Sequence, residues 1–469
     1  MNNKTYSKRE KQMYLAGLSG QNILYGIITS TLAYYMQFTI LIPAFWVGII
    51  ISTARIFDAV KDPFIGIFMN KKPERIKKYL QIFPIPTALL TVLCFVNGIY
   101  NEKNPDFLII IFAFVTYILW ELLFTFTDIP INAYPTLITN SESDRNALLA
   151  LRPVGAIVCS LCTLIVQPVS FALSGVMGSN SKSEQKAFIC TVLVLSILGA
   201  CLFQMTTVKS KQFIELKTEN DKNQFRYFIK NPILKKILLS GILGSLRSML
   251  GVVMTPLVNY YFASKNPVLS LFYTVVLGAG SFIGMIVSMC AAPRLSALYG
   301  NRNVYVFANI INIFPNVFLF VFYMFSKEKM TDIPSLLFMF VCLVISGICL
   351  SVSSTVQTFL INDAVDYEAK RSGKRPVALF FSCQTFLVKI AMGISSLAAS
   401  MGYSFIGFSS EQANHINLFI SGGGIPRLNH EFEPLMTMLF FLATIPAAIG
   451  SGACVTPFIK HKSVRKKEI

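Results

Sequence analysis

The chain is poor in the residues that soluble enzymes rely on: 14% of its 469 residues are charged, three are histidine and two are tryptophan. It has no Gly-rich loop ending in Lys, the phosphate cradle of ATP-driven pumps, and no helical His pair able to hold a catalytic metal. His415, His430 and His461 all fall in stretches that read as loops. These absences argue against a nucleotide-driven pump, an intramembrane protease or any other enzyme. They leave no catalytic residue, metal site or cofactor to assign, and an ion or solute gradient as the energy source. The ten cysteines lie mostly in apolar runs such as "VLCFV", "VCSLCTL" and "LGACLF", so they read as small core residues rather than disulfides or metal ligands.

Long apolar runs take the place of these features. Hydrophobic residues make up 54% of the chain, aromatics 13%, and the mean hydropathy is +0.59. A bilayer-spanning helix needs about 20 mostly apolar residues, because its backbone must satisfy its own hydrogen bonds away from water. Runs of that kind are expected near 15–39, 43–68, 80–100, 106–135, 148–174, 187–207, 236–262, 268–292, 303–325, 333–360, 377–402 and 433–458. The fold class is therefore all-α integral membrane, with about twelve transmembrane helices. The first residues, "MNNKTYSKREKQ", are polar and basic, unlike a cleavable signal peptide, so the first span is expected to insert the chain.

The net charge of +18 could point to nucleic acid, but its placement points to the bilayer. About 29 Lys and Arg lie in alternate connections, including "NKKPERIKK", the 208–236 stretch, "AKRSGKR" and the tail "KHKSVRKK", against about 7 in the others. This bias puts both termini in the cytoplasm of a bacterial inner-membrane protein and makes the helix count even. The basic stretch after 207 separates two halves of six spans. The expected organisation is an N-terminal bundle over 1–207, a cytoplasmic linker over 208–235, a C-terminal bundle over 236–458 and a basic tail over 459–469. Two pseudo-symmetric six-helix bundles joined by such a linker are the plan of the major facilitator transporters. The Gly/Ser/Asn-rich stretch 403–432 is expected to be irregular or a short re-entrant piece.

Five cations remain inside the apolar runs: Arg55, Lys61, Arg152, Arg247 and Lys389. A charge in the hydrocarbon core costs at least a few kcal/mol, so it faces a partner or a cavity. In "ARIFDAVKDPFIG", Arg55, Asp58 and Asp62 share one helical stripe with Lys61 beside them. Two carboxylates one turn apart suit a cation or a proton, and Lys61 can be their built-in compensation. Glu121, Thr125 and Asp128 form a second stripe in the fourth span, followed by the helix-loosening prolines of "DIPINAYPT". Arg152 enters from the fifth span, and Gln384 and Lys389 from the eleventh. Asp58, Asp62, Asp128 and Lys389 read as functional. Arg55 with Asp58, and Arg247, read either as structural ion pairs or as functional, and Glu121 either as functional or as a residue near the outer interface.

These motifs resemble the glycoside-pentoside-hexuronide:cation symporters, the melibiose permease family. "RIFDAVKDPFIG", "TFTDIP", "SDRNALLALR", "NDAVDYEAKRSGKR" and "CQTFLVK" match in order across nearly the whole chain. The resemblance implies a cation site at Asp58, Lys61, Asp62 and Thr125, and a sugar site at Asn22, Asp128, Arg152 and Lys389, with Gln384 beside the last. It implies a small-molecule sugar substrate, H+ or Na+ as coupling ion, and a monomer in the bilayer. Sodium-binding members carry a neutral amide at the position of Lys61, which favours a proton here. Sugar-binding members usually carry Asp at the position of Asn22, and their stacking aromatics are replaced by Asn132 and Ser354. Losing an acid while keeping Arg152 and Lys389 makes the site more basic, which suits a hexuronide. The alternatives are a carrier of lysolipids or other amphiphiles on the same fold, and a membrane sensor that does not transport.

Overall fold

The computed structural model describes residues 7–70, 75–99, 106–139, 148, 151–178, 180–207, 231–372 and 377–459, and among these every regular element is helical. Twelve helical runs coincide with the twelve expected spans. In the first half they are α1 (Lys8–Tyr34), α2 (Ala44–Asn70), α3 with α4 (Ile76–Ile82 and Pro84–Leu93), α5 (Phe107–Ile138), α6 (Arg152–Met177) and α7 (Ser181–Gln204). In the second half they are α8 with α9 (Pro232–Leu243 and Met249–Pro256), α10 (Pro267–Tyr299), α11 (Asn301–Phe325), α12 (Ile333–Ser372), α13 (Val377–Phe405) and α15 (Glu433–Ile459). Eight are by themselves long and apolar enough to cross a bilayer, and a ninth is the bent pair Pro232–Leu243 and Ser245–Phe262, which meets at 50°. The side chains turned outward are apolar: Leu89, Leu108, Val194 and Phe325 are all exposed, as suits helices bathed in lipid rather than water.

Local signals set the helix ends. The Ser7 hydroxyl accepts from the Glu10 amide at 3.1 Å while Glu10 accepts from the Ser7 amide at 2.7 Å, a capping box that opens α1. Asp106 and Asn231 cap α5 and α8 through their side-chain oxygens, with Pro232 at the first helical position. Gly178 closes α6 at φ +118°, a conformation that asks for glycine.

Two expectations are corrected. α12 does not end near 360 but continues to Ser372, because Asn231 donates to the Ala364 carbonyl at 3.0 Å and to Glu368 at 3.2 Å, and Lys370 and Arg371 suit a helix C-terminus. The stretch 403–432 is not irregular throughout. It holds α14 (Ser410–Ser421), capped by Ser409 and anchored by buried Ala413 and Ile416. The linker residues 208–230 and the tail from 460 lie outside the described residues.

By internal packing the chain divides into two compact units. Unit 1 takes 1–219 together with 265–271 and 408–424; unit 2 takes 220–264, 272–407 and 425–469. In unit 1, α1 packs on α6 and α7, and α2 on α5, around a core that includes Tyr14, Leu18, Ile131, Tyr134 and Phe203. In unit 2, α11 packs on α12 and α15, and α8 on α15, around Leu234, Ile237, Tyr305, Val356 and Cys454. The first helical run of each half ends in a π turn, Tyr35–Thr39 and Leu257–Phe262. Each turn is followed by residues at positive φ, Leu41 in one case and Ser264 and Lys265 in the other.

Candidate functional site

In unit 1 the charges of α2 meet the polar stripe of α5. The three protons of the Lys61 ammonium have three oxygen partners: Asp58, Thr125, and Asp62 at 3.4 Å. The Thr125 hydroxyl lies 3.1 Å from Asp62 Oδ1 and 3.4 Å from Asp58 Oδ1, so all four residues form one knot between two helices. Asp58 and Lys61 are buried, and Asp62 is partly open.

Arg55 does not pair with Asp58. Its Nη1 stands 3.2 Å from Glu121 Oε1, with Arg55 2% and Glu121 0% exposed. Its guanidinium also lies over the rings of Tyr25 and Tyr117, 5.7 and 6.0 Å from their centroids. Glu121 is thus buried inside unit 1. The helix geometry explains the swap: Lys61 reaches back one turn to Asp58, which leaves Arg55 to the acid that α5 presents opposite it.

A second polar group sits along α1 and α5. Asp128 accepts from Gln21 Nε2 at 2.9 Å and from Asn132 Nδ2 at 3.0 Å. Gln21 Oε1 in turn accepts from Asn22 Nδ2 at 2.8 Å. The sequence-predicted pair Asn22 and Asp128 is therefore linked through Gln21, a neutral amide with no charge penalty to single it out in an apolar helix. Gly155 of α6 lies so close to the Asn22 amide that any side chain there would collide with it, which brings the first turn of α6 to this group. The side chains of Arg152 and Gln384 lie outside the described residues, and Lys389 is half-buried on α13 in unit 2.

Unit 2 holds a polar row that sequence reasoning missed. Asn309, Asn312 and Asn316 recur at i, i+3 and i+7 on α11, a periodicity that was visible in "ANIINIFPN". Asn312 bonds Ser451 and Ser346, and Asn309 bonds Ser353, so the row stitches α11 to α12 and α15. At its end is Arg247, in the short turn Ser245–Ser248 between α8 and α9. Its Nε donates to the Gly244 carbonyl at 3.0 Å, and its Nη1 to Asn309 at 2.8 Å and Ser353 at 3.0 Å.

Comparison with known proteins agrees with this architecture. The family model described as MFS/sugar transport protein matches residues 13–425. An uncharacterized symporter, YjmB, of Bacillus subtilis is 23% identical, with 86% of this chain and 85% of the relative covered. A putative glycoside/cation symporter, YagG, of Escherichia coli is 24% identical over 81% of this chain and 79% of the relative. A crystal structure of the nucleoside transporter NupG superposes with a TM-score of 0.59 at 13% identity, covering 93% of this chain and 99% of that one, a likeness of fold.

Proposed function

The chain belongs to the MFS/sugar transport protein family, a family of multi-pass membrane transporters and not of enzymes, and on that premise we propose that it imports a sugar or glycoside by symport with a proton rather than sodium. The observation that carries the choice of ion is the Lys61 ammonium, which already holds the oxygens of Asp58, Asp62 and Thr125 that a metal cation would need. A second positive ion among the same oxygens would meet the ammonium at contact range, where like charges repel strongly in a medium of low dielectric.

The charge count of the knot and the adjoining Arg55–Glu121 pair supports a stoichiometry of one. Arg55 and Lys61 oppose Asp58, Asp62 and Glu121, so ionised side chains leave one negative charge. One proton on Asp62, the most open of the three acids, makes the group neutral. A neutral site crosses the apolar interior at far lower cost than a charged one, so only the loaded carrier, or the carrier with the charge otherwise compensated, changes its accessible side. Substrate binds beside this group in unit 1, where Asn22, Gln21, Asp128 and Asn132 supply hydrogen-bond donors and acceptors of the kind that hydroxyls require. The excess of basic residues in alternate connections puts both termini in the cytoplasm.

The test is uptake into proteoliposomes of a panel of neutral and acidic glycosides, with an inward proton gradient, an inward sodium gradient, or neither. Stimulation by the proton gradient alone is the expected result. Stimulation by sodium alone would mean that Lys61 leaves the carboxylates during the cycle and would overturn the choice of ion.

A further inference from the structure

At one end of unit 2 the helices leave a recess. The end of α11, the end of α13 and the first turns of α15 enclose a groove of about 570 Å³, lined by Phe320, Phe405, Pro434, Thr437, Met438 and Phe441. That volume lies in the range of sites that hold a small molecule, about 300–1,000 Å³. The walls are braced from behind. Phe320 meets Phe441 edge to face at 5.8 Å, and the Thr437 hydroxyl lies 3.3 Å from that of Tyr323, whose ring stacks on Phe440. The one polar side chain among these walls thus has its partner in the protein, and the groove offers an occupant mainly hydrocarbon surface.

The residues flanking the groove show what it opens onto. Phe325 and Phe405, the last residues of α11 and α13, are 87% and 88% exposed, as suits the lipid boundary of a membrane protein rather than water. The charged members of the lining, His430 and Glu433, sit where α15 begins. Lys327, just past α11, donates to Glu433 Oε1, and His430 Nδ1 stands 3.6 Å from Glu433 Oε2. All three side chains keep access to solvent, so a cation and an anion stand side by side at the rim. Across the connections 326–332 and 425–433 of unit 2, three cations, Lys327, Lys329 and Arg427, are set against four acids, Glu328, Asp332, Glu431 and Glu433. That balance gives an anionic headgroup no net attraction, whereas a headgroup carrying both signs finds a partner for each.

We propose that this groove is a binding site for a phospholipid with a zwitterionic headgroup, one acyl chain lying along Phe320, Met438 and Phe441, the phosphate at Lys327 and the headgroup cation at Glu433. Neither the solute nor the coupling ion of the transport reading enters this argument. Within a bilayer the chain gains no hydrophobic energy by entering the groove, since it leaves other chains behind. Retention comes from packing against fixed walls and from the headgroup contacts.

The test is photocrosslinking of the full chain in nanodiscs of graded lipid composition, with a phosphatidylcholine whose acyl chain carries a diazirine, the modified peptides being located by mass spectrometry. Adducts are expected to concentrate on 434–441 and around Phe320 and to saturate. Unlabelled phosphatidylcholine or phosphatidylethanolamine should displace the probe about three- to tenfold more effectively than phosphatidylglycerol, the range of partly exposed ion pairs. Met438→Trp, which fills the groove, should remove these adducts and leave those on other outward-facing helices unchanged. Glu433→Lys, which makes the rim basic, should turn the headgroup order in favour of phosphatidylglycerol, and it answers the case in which Met438→Trp does not fold. Adducts spread evenly over the outward faces of the spans, a headgroup order that Glu433→Lys leaves unchanged, or a wild type that favours phosphatidylglycerol overturns the proposal. Cross-links from 434–441 to a second copy of the chain in place of lipid would do the same.

Discussion

The ammonium of Lys61 donates to the hydroxyl of Thr125, tying α2 to α5 at the level where Asp58 and Asp62 converge. One side chain thus sets a positive charge against two carboxylates one helical turn apart. Replacing it with the amide found in sodium-binding members, Lys61→Asn, empties that position and leaves two carboxylates and a hydroxyl around it. The variant is expected to gain stimulation by an inward sodium gradient and to lose stimulation by a proton gradient, read as initial uptake rates at fixed pH.

Arg55 and Glu121 form a pair with almost no access to water. Removing one partner strands a buried charge, a change worth about 3–5 kcal/mol in buried pairs, whereas removing both costs much less. Arg55→Ala should therefore sharply lower the thermal stability of the solubilised protein, and Arg55→Ala combined with Glu121→Ala should recover much of it. Equal losses in the single and double variants would show the pair to be uncoupled.

α10 and α12 touch through backbone. A Cβ on Gly347 would run into the Gly280 carbonyl, and one on Gly284 into the Gly347 carbonyl. Close approach of this kind is how membrane helices associate when no hydrophobic effect acts between them. Gly347→Ala should destabilise by about 1–3 kcal/mol, the usual cost of overpacking, and Gly347→Leu by more. Reversible unfolding in mixed micelles would measure both.

Glu184 joins distant parts of unit 1. Its Oε1 accepts from the Thr39 hydroxyl at 2.6 Å and its Oε2 from Lys265 at 2.6 Å, with the lysine also over the ring of Phe171. Both partners are largely buried, so Glu184→Gln and Lys265→Met should each lower stability, with a coupling of about 0.5–3 kcal/mol in the double-mutant cycle. A coupling near zero would reduce the contact to proximity.

Much of this site was legible in the amino-acid sequence, for one physical reason: a charge inside an apolar run is too costly to be casual. Asp58, Lys61, Asp62, Thr125 and Asp128 stood out on that ground and on helical spacing. Pairing across helices was not legible. From one helix the natural partner of Arg55 is Asp58, three residues on, and only the packing of α5 against α2 offers Glu121 instead. Neutral residues gave weaker signals still. Gln21 and the asparagines of α11 carry no charge penalty, so they did not stand out, although the i, i+3, i+7 row was there to be counted. The helix at Ser410–Ser421 was hidden by its Gly- and Asn-rich flanks, while its start was marked by Ser409 three residues before Gln412.

A π turn is what an α-helix becomes when one extra residue is pressed into it without the rest of the helix rotating. The chain carries this surplus twice. The amide of Ile40 reaches back five residues to the Tyr35 carbonyl, and that of Ala263 reaches back five to Val258, each at the end of the first helical run of its half. Each is followed by left-handed residues and then by a proline at the entrance to the next helix, Pro43 and Pro267. The same wide turn, left-handed exit and proline thus recur at the end of the first helical run of each half, a likeness of backbone between stretches whose sequences, "YMQFT" and "LVNYYF", share no motif.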